Sequence, residues 1–424
     1  MKLAINGAPP VRTTPFPPYK TIGGEEKQAV SEVLDSGVLS RYLGCWHDDF
    51  MGGPKVRELE TKWAERFGVK HAIAVNSCTS GLYCAVGAAG ISPGDEVIVS
   101  PYTMSASATA TLVYGATPVF ADIEEDCFCL DPASVEERIT TKTKAIIVVD
   151  IFGLPYDTER INAIAAKHGL VVIEDCAQAP GAELAGKPAG TLGDMGVFSL
   201  NYHKHIHCGE GGVIVTDDDA LAKKLRLIRN HAEAVVEEMG FEDLKNMVGF
   251  NYRMTEMEAA VAICQLEKLP GLIEERIANC EYLEEKIEGI PALTMPAKRP
   301  EAKHVYYTHS IKFDEKTAGI PRNHFVDAVK AELPHTTLRE AEGVLMGCGY
   351  VKPIYLMPLY LKRQAIYPLN SNARYEVNLC PVTERMHFKE LFSHEMMRPG
   401  MTRNDLDDVA EAFLKVWVNI DELR

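Results

Sequence analysis

From residue 71 to residue 173 the chain alternates short apolar runs with amphipathic stretches, and this alternation restricts the fold more than any other feature. The runs cover residues 71–75, 96–99, 118–121, 145–149 and 170–173. The stretches between them, 80–89, 105–114, 131–139 and 157–168, carry helical spacing. Near-continuous apolar strands between helices predict a mostly parallel sheet covered on both faces. Such sheets bind ligands beyond the carboxyl ends of their strands. The residues that follow each strand are therefore the ones to inspect for chemistry.

The rest of the chain fits around that unit. Residues 8–20 read as a proline-rich extended arm, and 25–34 as a helix closed by Gly37. Residues 39–53 mix aromatics, charges and glycines without a period, and 54–67 form an amphipathic helix. Strands at 196–198 and 213–216 precede a helix at 220–230. A second helix opens on Thr255-Glu256-Met257-Glu258, a capping-box pattern. Pro270 is expected to interrupt it, with a further helix over 274–287. The domain boundary is placed there. Residues 1–269, with the arm, form a large domain, and 270–424 a smaller α+β domain. The smaller one holds a strand at 305–311, a helix at 324–333 and a closing helix at 406–418 capped by Asn404.

A net charge of −16 argues against non-specific binding to nucleic acid or anionic membrane. The cysteines form no CxxC pair, and their odd count of 11 suits a reducing cytosol. No signal-peptide core opens the chain and no apolar run reaches spanning length, so a cytoplasmic location is expected.

The strand ends carry four signals. Phe198 to Gly212 reads as strand, loop and glycine turn, with Lys204 in the loop. A desolvated amine there is a candidate for Schiff-base chemistry, against the plain alternative of a solvated surface charge. His203, His205 and His207 would share one face of a strand. A metal site is nevertheless disfavoured, because Glu210 is the only nearby carboxylate and lies in the glycine turn. Asn76-Ser77-Cys78-Thr79-Ser80-Gly81 opens a helix and so offers an anion site, or simply a cap. Glu174-Asp175-Cys176-Ala177-Gln178 places an acid and an amide after another strand, and Ser199 ends a third. A phosphate cradle, a carboxylate, a hydrogen-bonding Gln and a loop lysine at one sheet edge are what pyridoxal phosphate requires.

With these residues in view, the sequence resembles the DegT/StrS-type sugar aminotransferases, within the fold-type I pyridoxal-phosphate enzymes. The resemblance is strongest over residues 20–270. It rests most on Val172 to Gln178, Phe198 to Gly212, and Gly249-Phe250-Asn251-Tyr252-Arg253-Met254. It implies a seven-stranded large domain and transfer of an amino group from glutamate or glutamine to a keto sugar. Lys204 then matches the lysine that holds the cofactor and carries the proton. Asp175 matches the pyridine-nitrogen acid, and Gln178 the residue bonding the ring hydroxyl. Cys78, Thr79 and Ser199, with Ser80 beside them, match the phosphate-binding positions. Asn251 matches a residue that reaches the phosphate from a second subunit, which implies a homodimer with shared sites.

Several positions depart from the family's pattern. Met104 stands where an aromatic residue stacks on the cofactor ring, Cys78 replaces a glycine, and Asp150 replaces a histidine. Residues 41–50 look like an insertion. With Asp150 they would form the wall that holds the sugar, Tyr42 and Trp46 covering a ring face and Arg41, His47, Asp48 and Asp49 bonding hydroxyls. The alternative is a surface loop. Two rival functions remain, a sugar dehydratase of the same fold and a cofactor-binding sensory protein. The dehydratase branch carries histidine in place of Lys204.

Overall fold

The computed structural model describes residues 2–334 and 346–424. Seven strands form the central sheet. Their order is His71–Val75, Gly212–Thr216, Met195–Ser199, Val171–Asp175, Thr143–Val149, Glu96–Val99 and Thr117–Phe120. Gly212–Thr216 is antiparallel to both neighbours, and every other pairing is parallel. The α/β class and the mostly parallel sheet are thus as the sequence implies.

Alternation along the strands fills both faces. Val97, Val99, Ile147, Ile173 and Val197 pack with Leu82 and Phe50 on one side. Ile98, Ile146, Val148 and Val172 pack with Ile161 on the other. Burying one such side chain contributes roughly 1.5–3 kcal/mol.

A second core lies towards the C-terminus. An antiparallel sheet in the order Leu293–Thr294, His309–Phe313, Leu391–His394 and Met346–Cys348 supports it. Phe313, Phe325, Phe392 and Phe413 meet there, and the helices Arg322–Ala331 and Arg403–Val418 cover it. Leu3 and Phe16 also belong to this core, so the N-terminal arm packs here rather than on the large sheet. Arg12 fixes the arm by ion pairs to Asp405 and Asp408.

Three local expectations are corrected. Pro270 does not interrupt its helix, which runs unbroken from Glu256 to Ile287 behind the expected Thr255–Glu258 capping box. A proline inside a helix costs about 3 kcal/mol. Burial of Leu266, Leu269 and Ile273 in one core and Cys280, Leu283 and Ile287 in the other outweighs that. The closing helix starts at Arg403, capped by Thr402 with Asp405 and not by Asn404. The strand expected from 305 begins only at His309. Val305 and Tyr307 donate instead to the carbonyls of Gly153 and Phe152, at 2.9 and 2.7 Å. Among the described residues no helix is long and apolar enough to cross a membrane.

Candidate active site

The carboxyl ends of the strands ending at Val75, Ser199 and Asp175 lie on one edge of the sheet. Ser77 caps the helix Cys78–Ala88, its hydroxyl accepting from the Ser80 N–H at 3.0 Å. Ser80 in turn donates to Asn76 Oδ1 at 2.7 Å. Ser80 thus builds the cap, and Cys78 and Thr79 stand at the first helical positions. N–H groups in a helix's first turn lack intrahelical acceptors, which makes them anion ligands. Gly212 closes over them. A Cβ there would come within 2.7 Å of the Cys78 nitrogen. Ser199 is buried, and its hydroxyl accepts from the Asn201 N–H.

Asp175 ends its strand fully enclosed. Ser107 donates to Oδ2 at 2.6 Å, Ala177 N–H donates to Oδ1 at 3.2 Å, and Cys78 Sγ lies 3.9 Å from Oδ1. Burial pushes the carboxyl up. Those bonds and the charge of Lys204 pull it down, and the balance stays above the ordinary value. Lys204 is only 9% exposed. Its Nζ lies 4.3 Å from the centre of the Tyr307 ring, a cation–π contact.

Gln178 is held at both ends. Its Oε1 accepts from the Phe152 N–H at 2.8 Å, and its Nε2 donates to the Tyr350 hydroxyl at 3.0 Å. The loop around Lys204 is not a strand, so its histidines do not share a face. His205 is buried and bonded through Nε2 to the Val305 carbonyl, which places its proton on Nε2. Burial holds that imidazole well below its usual value, and hence neutral. Among the described residues, Asp150, Glu174 and Cys176 are the group of metal-ligand types that converge, and all three are buried.

The profile of the DegT/DnrJ/EryC1/StrS aminotransferase family matches residues 20–414. The chain belongs to that family. Among its relatives, the GDP-perosamine synthase of Caulobacter vibrioides is 38% identical over 295 residues, 69% of this chain and 76% of that protein. The L-glutamine:scyllo-inosose aminotransferase of Streptomyces griseus is 32% identical over 439 residues, 99% of each chain. The crystal structure of DesI in the presence of its TDP-sugar product superposes with a TM-score of 0.81 at 28% identity. That match covers 99% of this chain and 97% of DesI.

As an aminotransferase of this family, the chain assembles most of the residues expected from its sequence, and places others elsewhere. Lys204, Asp175, Cys78 and Tyr350 interact electrostatically around one site. Met104 is 61% exposed, three residues before the Ser107 that bonds Asp175. Asn251 is exposed, with its Oδ1 accepting from Arg253 Nε at 2.7 Å and its carbonyl beside Asn76.

The supposed sugar wall divides. Tyr42 is a core side chain, packed under Arg229 and against Gly52. Asp150 is fully buried, accepting from the Tyr156 N–H at 3.0 Å with Cys176 Sγ at 3.3 Å. Neither offers a surface to a sugar within its own protomer. Arg41 and Trp46 remain exposed, Arg41 paired with Asp49. The loop is nonetheless pinned, because Asn230 donates to the carbonyls of Leu43 and Phe50. Ser107, Tyr307 and Tyr350 were not foreseen. Ser107 could have been, since it opens a helix just past a strand end.

Proposed function

We propose that this aminotransferase moves an amino group from glutamate or glutamine to a keto sugar or cyclitol in amino-sugar biosynthesis, with pyridoxal phosphate as carrier. The observation that carries the reading is the placement of a buried lysine, a buried carboxylate, a fixed amide and an open helix N-terminus at one sheet edge. The donor set fits the cofactor. Cys78, Thr79 and Ser199 would hold its phosphate, Asp175 its pyridine nitrogen and Gln178 its ring oxygen. When bound, the cofactor supplies an electron sink for the carbon that loses its proton.

This chain's residues do the rest. Asp175 would hold a proton on the cofactor's ring nitrogen, its carboxyl kept oriented by Ser107 and the Ala177 N–H. Lys204 would take up at its Nζ the proton lost by the substrate carbon and return it. Tyr307 shields that amine from water on one face. The chain's relatives support the substrate class, since they include a GDP-perosamine synthase and an L-glutamine:scyllo-inosose aminotransferase. A nucleotide-linked sugar is the favoured acceptor. The working unit is a cytoplasmic homodimer in which Asn251 completes the neighbouring subunit's site. A large and a smaller C-terminal domain belong to the same reading, with the helix Glu256–Ile287 shared between their cores and the N-terminal arm packed on the smaller one.

Single half-reactions test this. The yellow holoenzyme is expected to lose its long-wavelength absorbance with glutamate or glutamine and regain it with a keto sugar. Borohydride reduction is expected to fix the cofactor on Lys204 alone. A label on another lysine, or no bleaching with any amino donor, overturns the reading. Trp46→Ala is expected to slow the sugar half-reaction more than the donor half-reaction, which separates the exposed wall from the shared machinery.

A further inference from the structure

We propose that Tyr350 is a positioning residue for Gln178, fixing its carboxamide so that one N–H of Nε2 is left to offer to an oxygen on a bound cofactor. The inference rests on the functional reading above and goes beyond it.

Donor and acceptor roles decide the orientation. The backbone N–H of Phe152 can only donate, so the atom of Gln178 that meets it at 2.8 Å is Oε1. The nitrogen therefore points to Tyr350 and can only donate, so the Tyr350 oxygen accepts at 3.0 Å. A flip of the amide would set Nε2 against the Phe152 N–H and leave a buried donor without an acceptor. One N–H of Nε2 is committed to Tyr350, and the other remains. Burial pushes the Tyr350 phenol up, so it stays neutral and keeps its own proton while accepting.

The surroundings hold this arrangement rigidly. The Tyr350 ring meets Phe152 edge-on at 5.1 Å and Tyr102 at 6.1 Å. Phe152 has φ +58°, a left-handed conformation that a bulky residue adopts only when its neighbours enforce it. Gln178 bonds its N–H, and Tyr307 N–H bonds its carbonyl. The strained peptide thus links the amide to the ring that carries the Lys204 amine. Tyr350 also interacts electrostatically with Tyr307, Lys204 and Asp175, which places its hydroxyl at this site.

The test uses Tyr350→Phe, which keeps the ring contacts and removes the accepting oxygen. In the cofactor-free protein, amide exchange at Phe152 is expected to quicken, because Gln178 is no longer anchored. With pyridoxal phosphate added, the visible absorption between pH 6 and 9 is expected to change, and the cofactor's Kd to rise about 2- to 10-fold. Gln178→Ala with Tyr350→Phe should match Gln178→Ala alone, because Tyr350 acts through that amide. Unchanged exchange and spectrum in Tyr350→Phe, or additive effects in the double variant, overturn the proposal. If the unaltered protein takes up no pyridoxal phosphate, the functional reading fails, and the exchange measurement still decides the positioning of Gln178.

Discussion

Glu174 and Asp175 stand side by side at the end of the strand Val171–Asp175 and, as successive strand residues, face opposite sides of the sheet. Both are buried carboxylates. On its side, Glu174 accepts from the backbone N–H groups of Gly190, Leu192 and Gly193, at 2.8, 2.6 and 2.5 Å. Asp150 and Cys176 complete that pocket. On the other side, Asp175 takes one hydroxyl and one N–H and feels the charge of Lys204. A carboxylate ringed by backbone donors pins a loop to the sheet. A carboxylate flanked by an amine and an open helix end is, on the proposed function, placed for proton chemistry. The sheet itself keeps the two roles apart.

The contrast can be broken most sharply by Asp175→Asn. Turnover is expected to fall about a hundredfold or more, while the urea midpoint moves little, because the amide still fills the space, its oxygen accepting from the Ala177 N–H and its nitrogen donating to the Ser107 hydroxyl, which can accept as well as donate. Glu174→Gln is expected to do the reverse. Its amide offers one acceptor oxygen where the carboxylate offers two, so at least one buried N–H loses its partner. That costs about 1–3 kcal/mol of stability by urea denaturation and leaves the absorption of the bound cofactor unaltered. If Glu174→Gln changes the spectrum, or Asp175→Asn unfolds the protein, the division of roles between the faces is wrong.

The smallest effect concerns pH. Burial pushes up both Asp150 and Glu174, and each carboxyl raises the other. A carboxyl whose folded value lies above its unfolded value binds more protons in the folded state between the two. Its contribution is therefore present in acid and is lost as pH rises from about 4 towards neutrality and beyond. Asp150→Asn cannot ionise, so its stability is expected to fall less steeply than that of the unaltered protein over this range. Parallel stability profiles would show that folding does not raise Asp150. Taking the difference between proteins cancels the opposing slope of the buried histidines, whose values are lowered.

The sheet was legible in the sequence because each strand repeats the same local pattern, apolar on both faces and bounded by helices. Lys204, Asp175 and Gln178 were legible for a related reason. Each follows a strand, and strand ends converge in such folds. What joins these residues was not legible. Tyr350 reaches Gln178 across 172 positions, and Tyr307 reaches Lys204 only because Phe152 diverts its backbone. Tyr42 shows the opposite error. An aromatic in an aperiodic segment looks like a binding surface until its depth is known, and Arg229 covers it. Pro270 shows that a local rule yields when cores on both sides hold a helix straight through it.

The arm that carries Leu3 and Phe16 also sets an order of events. It is synthesised before every strand of the large sheet, yet its partners come near the other end of the chain. Ala4 N–H bonds Glu332, Arg12 pairs with Asp408, and Leu3 N–H bonds Glu422, across 328, 396 and 419 positions. The entropy of closing so long a loop grows only slowly with length, so the finished contact is not weak. The cost falls on time, because contacts distant in sequence form late. On the nascent chain the large sheet can close while the arm waits, because the core that takes Leu3 and Phe16 is completed only with the helix Arg403–Val418. During that interval the growing polypeptide presents a short apolar segment that the later residues of this core, or a chaperone, can cover.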